Sequence, residues 1–507
     1  MVPEVEAIHS NRLDSRRLSA RALEPALLLL TALLSCAAYL WRSSTIAGLG
    51  FPLDDAWIHQ TYARNLVTEG EWAFVPGRPS AGSTAPLWTM MTAAGYALRL
   101  EPRLWTYFLG AVSLFGLAWG AVSWAGGRGG LRPGWRWLLG LVLLFEWHLV
   151  WAAVSGMETL ALALFIVLIL RLLEREPVKQ AWAGVLVGLA VWLRPDALTL
   201  LLPVCLSSFF GTPRDARRAI RDLAVFGAGF LLVLLPYFML NASLGQEWFP
   251  STFYAKQAEY GVLRSQPLLA RIFGQISVPL VGVGVCLLPG LYADLYLVVA
   301  NRAWRRLGAY AWMASFVLLY AVRLPVTYQH GRYAIPLIPV LVALSVRGMA
   351  HAANPQSVRR LERVLSRGWI GAVVAVSLAF WIRGSQAYGE DVAIIETEMV
   401  ASARWIGQHT EREARIAAHD IGAIGYFAGR ELIDLAGLVS PEVIPILRDE
   451  AALAEFLDEQ AADYLVTFPG WYPQLVRGLE PIYQTAGKFS PRAGGENMGV
   501  YRWEAAP

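Results

Sequence analysis

The sequence predicts an α-helical polytopic membrane protein, with about eleven transmembrane helices, followed by a C-terminal extracytoplasmic α/β domain. Three observations lead to this reading. Hydrophobic residues fill 56% of the 507 positions and charged ones only 16%, with a mean hydropathy of +0.43, which is more apolar matter than a soluble core of this length can use. Apolar runs long enough to cross a hydrocarbon core, roughly 17–25 residues, recur along the chain. Beyond residue 385 these runs stop, and short β-type segments alternate with helical ones.

Residues 1–24 read as a polar cytoplasmic tail. The run 25–49 lacks a clear signal-peptide cleavage site and is long enough to span, so it is taken as the first transmembrane helix. Further spans are expected at 105–125, 137–154, 159–173, 181–193, 197–210, 223–240, 272–300, 308–322, 333–346 and 369–382. The run 86–100 is read as interfacial, because only then do the Arg-rich loops all fall on one side. Those loops carry Arg128, Arg132 and Arg136; Arg171, Arg175 and Lys179; Arg214, Arg217, Arg218 and Arg221; Arg302, Arg305 and Arg306; and Arg359, Arg360, Arg363 and Arg367. The N-terminal Arg12, Arg16, Arg17 and Arg21 agree with them, which makes this face cytoplasmic. The transmembrane domain thus covers 25–385, with its first outer loop at 51–104, and 386–507 forms the outer domain. In that domain "ARIAAHD", "ELIDLAGL", "DYLVTF" and "GVYRW" read as strands and "AALAEFLDEQ" as an amphipathic helix. Cys36, Cys205 and Cys286 lie in apolar runs and suggest neither a disulfide frame nor a metal site.

Chemistry-bearing residues collect on the opposite, outer side. "PLDDAWIHQTYARNL" sets Asp54 and Asp55 at the start of an expected surface helix, whose apolar face would be Trp57, Ile58, Tyr62 and Leu66 and whose other face would carry Asp55 and His59 one turn apart. The two carboxylates cannot point the same way, so one is expected to face a cavity as a base while its neighbour orients the loop or caps the helix. Gly77, Gly82 and Pro86 in "VPGRPSAGSTAPLW" suit an irregular backbone beside a polar cavity. "SGMET" places Glu158 between two spans, either as a helix cap or facing the same cavity. Lys256 in "FYAKQ" and Arg332 in "HGRYAIPLIP" are the expected phosphate ligands, whereas Arg194 in "LRPD" is expected to pair with Asp196. His419 and Asp420 are accounted for by a strand-to-helix turn. No nucleotide loop or HExxH zinc motif is present, so a cytosolic nucleotide-fuelled mechanism has no support.

On "LDDAWIHQTYARNLVTEGEWAFVPGRPSAGSTAPLW", "SGMET", "LRPD", "FYAK", "RYAIPLIP" and "DIGAIGYFAGRELIDLAGL", the chain resembles the GT-C superfamily of integral membrane glycosyltransferases. It is most similar to the bacterial terminal arabinofuranosyltransferase group, and more distantly to protein O-mannosyltransferases and lipid A aminoarabinose transferases. The resemblance implies inverting transfer of a sugar, such as arabinofuranose or mannose, from a polyprenyl-phosphate donor to a hydroxyl on a glycan, glycolipid or protein. The setting it implies is the outer face of a bacterial inner membrane, with no cofactor and with the need for a divalent metal left open. By the same resemblance the first-loop acid matches Asp55 or Asp54 and the second acid Glu158; Lys256, Arg332, His330, His59, Tyr254 and Arg194 are the residues expected to bind the donor phosphate or substrate. "VPGRP" departs from the Asn-Pro-Gly-Glu pattern of relatives, so an acid expected there is missing. The rival reading is a transporter or lipid flippase with a charged outer vestibule, which should instead place polar residues deep in several helices.

Overall fold

The computed structural model describes residues 2–127, 130–175, 178–210, 215–245 and 247–504, with side chains from residue 23 onward. Arg128 and Arg214, and the side chains of Arg12, Arg16, Arg17 and Arg21, lie outside the described residues. Helix α1 (Val2–Ser44) leads to α2 (Asp55–Thr68), the hairpin of β1 (Ala73–Val75) and β2 (Arg78–Pro79), and α3 (Pro86–Ala97). Then come α4 (Pro102–Ala125), α5 (Pro133–Leu144), α6 (Trp147–Ala153), α7 (Thr159–Leu173), α8 (Gln180–Leu193), α9 (Leu201–Phe209) and α10 (Ala216–Gly245). They are followed by α11 (Ser251–Glu259), α12 (Leu268–Ser277), α13 (Gly284–Ala300), α14 (Leu307–Arg323), the one-turn α15 (Tyr328–Gly331), α16 (Leu337–Ala352) and α17 (Arg360–Ile395). The C-terminal domain holds α18 (Ala401–His409), β3 (Arg415–Ala418), α19 (Ile421–Phe427), β4 (Glu431–Asp434), α20 (Glu450–Glu459), β5 (Tyr464–Thr467), β6 (Pro481–Gln484), α21 (Phe489–Arg492) and β7 (Gly499–Arg502).

Among the described residues four helices are long and apolar enough to cross a membrane alone: Leu23–Ser44, Pro102–Ala125, Ala216–Gly245 and Arg360–His409. Two further expected spans are broken instead of straight. The run 137–154 bends by 57° between α5 and α6, where Glu146 caps α6 by accepting from Leu149 N at 2.9 Å and bonds His148 at 2.8 Å. The run 272–300 bends by 102°, at a segment holding Pro279 and the positive-φ Gly282. The shorter apolar helices Thr159–Leu173, Gln180–Leu193 and Leu337–Ala352 fall at expected spans. At 12 residues α3 extends only about 18 Å, too short to cross a hydrocarbon core of about 30 Å.

The C-terminal domain is built on a five-stranded sheet of order β4-β3-β5-β7-β6. Strand β3 runs parallel to β4 and β5, and β7 runs antiparallel to β5 and β6. All four residues of β5 are buried, and Leu453 and Leu457 of α20 join Leu465 and Tyr501 in a small core of their own. No loop separates this domain from the membrane part, because α17 continues through a π-helical segment, Glu396–Val400, into α18.

Helix α2 departs from the expected surface placement. Its apolar face is covered by protein: Trp57, Ile58 and Tyr62 are buried, and Trp57 packs against Tyr426 and Phe427 of α19 with ring centroids 4.9 and 4.7 Å away. Arg64 donates to the Tyr426 carbonyl at 2.8 Å, and the Tyr96 and Tyr426 hydroxyls meet at 3.0 Å. The loop 51–104 is therefore clamped between the apolar helices and the C-terminal domain.

Candidate active site

Helix α2 starts with two adjacent carboxylates, and the fold sends them to different partners. Asp54 accepts from Gly422 N at 2.6 Å and Ala423 N at 2.8 Å, so both its oxygens are taken by the first turn of α19. It caps a helix of the outer domain and makes no side-chain cap on its own α2. A Cβ on Gly422 would lie 2.1 Å from the Asp54 carbonyl oxygen, so only glycine permits this approach. Burial and the nearby Asp420 raise the Asp54 carboxyl to about 8, against the pull of the two N–H donors. Asp420 is likewise pushed up by burial, to about 6, and its Oδ2 is buried without a hydrogen-bond partner.

Asp55 is placed in the opposite way. Its Oδ2 receives Lys256 Nζ at 2.8 Å and Arg332 Nη2 at 2.6 Å. Burial alone would raise this carboxyl, but the two cations hold it well below the usual carboxylate range. Lys256 comes from α11, whose start is pinned to the Gly-rich loop: Ser251 N donates to the Ala81 carbonyl at 3.0 Å and Thr252 Oγ1 to that of Gly82 at 2.5 Å. Gly82 has no room for a side chain there, since a Cβ would meet Val439 at 2.6 Å. Arg332 follows a tight left-handed turn at Gln329, His330 and Gly331. The Arg332 guanidinium is buried and lies 5.0 Å from the Tyr333 ring, while its Nε and Nη1 have no hydrogen-bond partner.

Two cavities meet at this ion cluster. The first, of about 980 Å³, lies between α2, α11 and the C-terminal domain and is lined by polar groups including Asp54, Glu259, His419 and Asp420. The second, of about 760 Å³, is walled largely by apolar side chains such as Met157, Phe249, Phe253, Leu318 and Leu319. Asp55, Lys256 and Arg332 line both, and no other described residue does.

Glu158 and Arg194 line the apolar cavity beside this cluster. Arg194 pairs with Asp196 at 2.9 Å, as its sequence neighbourhood suggests, and Tyr320 bonds to both; Arg194 Nη1 also stands 3.7 Å from Glu158. His59 sits behind Glu158, with Nε2 3.5 Å from its carboxylate and Nδ1 bonded to Thr89 at 2.9 Å, so it lines neither cavity. Glu158 Oε2 is buried without a hydrogen-bond partner.

Two expected donor-side residues stand elsewhere. His330 turns away to Asp391, at 2.7 Å, between Trp147 and Trp151, because its left-handed backbone reverses the chain just before Arg332. Tyr254 packs edge-on against Phe253 and lines neither cavity, since it projects from a different side of α11 than Lys256. "VPGRP" forms the hairpin turn, where Arg78 pairs with Glu431 at 2.6 Å. Sequence reasoning missed Glu259, Tyr333 and the cavity position of Asp420. Glu259 was legible in principle, three residues after Lys256 on one helix and so on the same face. Among the described residues no three His, Cys, Asp or Glu side chains cluster as a metal site would require.

Compared with solved structures, 95% of the chain aligns with 99% of ArnT from Cupriavidus metallidurans bound to undecaprenyl phosphate, at 16% identity and a TM-score of 0.59. The oligosaccharyltransferase of Archaeoglobus fulgidus in its apo form aligns over 87% of this chain and 69% of its own, at 11% identity and a TM-score of 0.58. AglB from the same archaeon, in complex with an inhibitory peptide and a dolichol-phosphate, gives 12% identity and a TM-score of 0.53 over the same shares. The chain has the GT-C fold. Within that GT-C fold, residues 388–501 match a family described as a domain of unknown function, DUF8728. No curated protein matches the sequence. The GT-C architecture and the apolar helices make the chain a multi-pass membrane protein.

Proposed function

We propose that the protein is an inverting glycosyltransferase that moves a pentosyl or hexosyl unit, such as arabinofuranose or mannose, from a polyprenyl-phosphate donor to an acceptor hydroxyl. The observation that carries this reading is the position of Asp55, Lys256 and Arg332 in the wall common to an apolar and a polar cavity. Solved structures of the same fold with undecaprenyl phosphate or dolichol-phosphate support a lipid-phosphate ligand. In this reading the lipid chain occupies the apolar cavity, and its phosphate takes up the unpartnered Arg332 donors together with Lys256.

Donor and base are then coupled through shared cations. Without a phosphate, Lys256 and Arg332 hold the Asp55 anion too stable to accept a proton readily. A phosphate that draws these cations toward itself restores basicity to Asp55 at the moment the donor is in place. The acceptor oxygen attacks C1 of the sugar as its proton passes to Asp55. The bond from C1 to the phosphate oxygen breaks, and its electron pair leaves on the polyprenyl phosphate, stabilised by Arg332 and Lys256. One in-line displacement inverts the anomeric centre. Glu158, paired with Arg194 and His59, orients the donor from the apolar side. The outer face of a bacterial inner membrane fits the Arg-rich loops on the opposite side of the chain.

The test is incubation of the purified protein in lipid nanodiscs with radiolabelled polyprenyl-phosphate sugars and a panel of glycan, glycolipid and peptide hydroxyl acceptors, followed by release of polyprenyl phosphate and stereochemical assignment of the product. Sugar transfer that depends on Asp55 supports the proposal, and its absence with every donor, or retention of configuration, overturns it.

A further inference from the structure

The outer domain presents a second feature, at the carboxyl ends of its parallel strands. From β3 the chain passes to β4 on one side, then crosses to the other side for β5, as the order β4-β3-β5 requires. Open α/β sheets bind ligands in the crevice that such a reversal leaves beyond the strand ends. Here the end of β3 supplies His419 and Asp420, and the end of β5 supplies Phe468, Trp471 and Tyr472. These residues converge: the Trp471 ring lies 5.0 Å edge-on from His419, whose Nδ1 meets the Tyr472 hydroxyl at 2.7 Å. His419 Nε2 reaches Glu259 of the membrane domain at 3.7 Å. All of them line the same cavity as Asp55.

We propose that this crevice binds the acceptor, and that the acceptor is a neutral carbohydrate. The assignment rests on the glycosyltransferase reading above and adds its substrate class. Trp471 is 50% exposed, leaving an indole surface that the C–H face of a sugar ring can cover. The buried, unpartnered Asp420 Oδ2 offers an acceptor for a sugar hydroxyl. Away from Lys256 and Arg332, which the donor phosphate engages, the lining carries Glu259, Asp420, Glu450 and Glu496 against Arg448, so a phosphorylated or sulfated acceptor is repelled there where a hydroxyl is welcomed. At about 980 Å³ the space stands near the upper end of small-ligand pockets, roughly 300–1,000 Å³, and takes a short oligosaccharide.

The experiment titrates full-length protein in nanodiscs, loaded with sugar-free undecaprenyl phosphate to fill Lys256 and Arg332 and with no sugar donor present, with short neutral arabino-, manno- and gluco-oligosaccharides and with their phosphorylated counterparts, read by saturation-transfer NMR. The expected result is binding of at least one neutral series, with its phosphorylated form weaker by about tenfold or more. Trp471→Ala should weaken the neutral ligand by about tenfold or more, Trp471→Phe should keep most of the affinity, and undecaprenyl phosphate binding should be unchanged in both. The assignment falls if no neutral oligosaccharide binds, if the phosphorylated forms bind as well or better, or if Trp471→Ala leaves neutral binding intact. Because no donor is present, such a failure is separable from that of the transferase reading, which the radiolabelled donor assay judges on its own.

Discussion

The two cavities that meet at Asp55 are built in contrasting ways. The apolar one is enclosed within the transmembrane domain, by segments between Asp55 and Tyr333, and Arg194 pairs there with Asp196. The polar one is assembled from segments far apart in sequence, with Asp54 of the first loop bonded to Gly422, 368 residues later. The contrast teaches that only the three shared side chains need to respond to both sides, and that the rest of each cavity is free to specialise.

The comparison is broken most severely at Asp55. Asp55→Asn should lower turnover by about 10²–10⁴-fold while leaving donor-lipid affinity intact or improved, since it removes the anion that competes with phosphate for Lys256 and Arg332. Single-turnover kinetics alongside donor binding would check this, and a parallel loss of binding would count against the proposed division of roles. Arg332→Ala should act on the other side and weaken lipid-phosphate binding by about 10–100-fold, measured as an increase in Kd in nanodiscs. Next comes the join between the halves: Asp54→Ala removes the carboxylate that satisfies two N–H groups of α19, and should cost about 1–3 kcal/mol there. Hydrogen exchange should then show faster exchange at Gly422 and Ala423 while α4 is unchanged.

The smallest effect expected is one of pH. Asp54 and Asp420 both titrate above the ordinary carboxylate value, so the folded protein holds more protons than the unfolded chain between about pH 4 and pH 8. Their contribution to stability therefore falls as pH rises through that window. Asp420→Asn cannot ionise, and its Tm relative to the parent protein should increase as pH is raised from about 4 to about 6 and then level off.

Much of the site was legible because charge is conspicuous in so apolar a chain. Adjacent aspartates, a lone glutamate between spans and two outer cations were each visible, and Asp55, Glu158, Lys256 and Arg332 do come together. What stayed hidden depended on distant partners. Nothing near Trp57 announces that Tyr426 and Phe427 will cover it, so its helix read as lying on a membrane. His330 looked like a phosphate ligand until Asp391, 61 residues later, claimed it. The bend at Glu146 escaped because a single carboxylate is a small interruption in a hydropathy pattern, yet it is sufficient to cap a new helix. In the C-terminal domain β5 and β7 showed themselves by β-branched and aromatic content and β3 and β4 as short apolar runs, whereas β6 begins at a proline, lies mostly exposed at a sheet edge and did not.

The unbroken helix from Arg360 to His409 has a mechanical meaning. Fifty residues make a rod of about 75 Å, well beyond the thickness of a bilayer with its headgroups, about 40–45 Å. Its foot stands among the apolar helices and its head is part of the C-terminal sheet domain, so a stiff shaft, with no flexible tether, sets the distance and tilt of that domain. Lengthening or shortening that shaft by a residue would also rotate its load by about 100°, which ties the alignment of the upper and lower halves to a fixed number of turns.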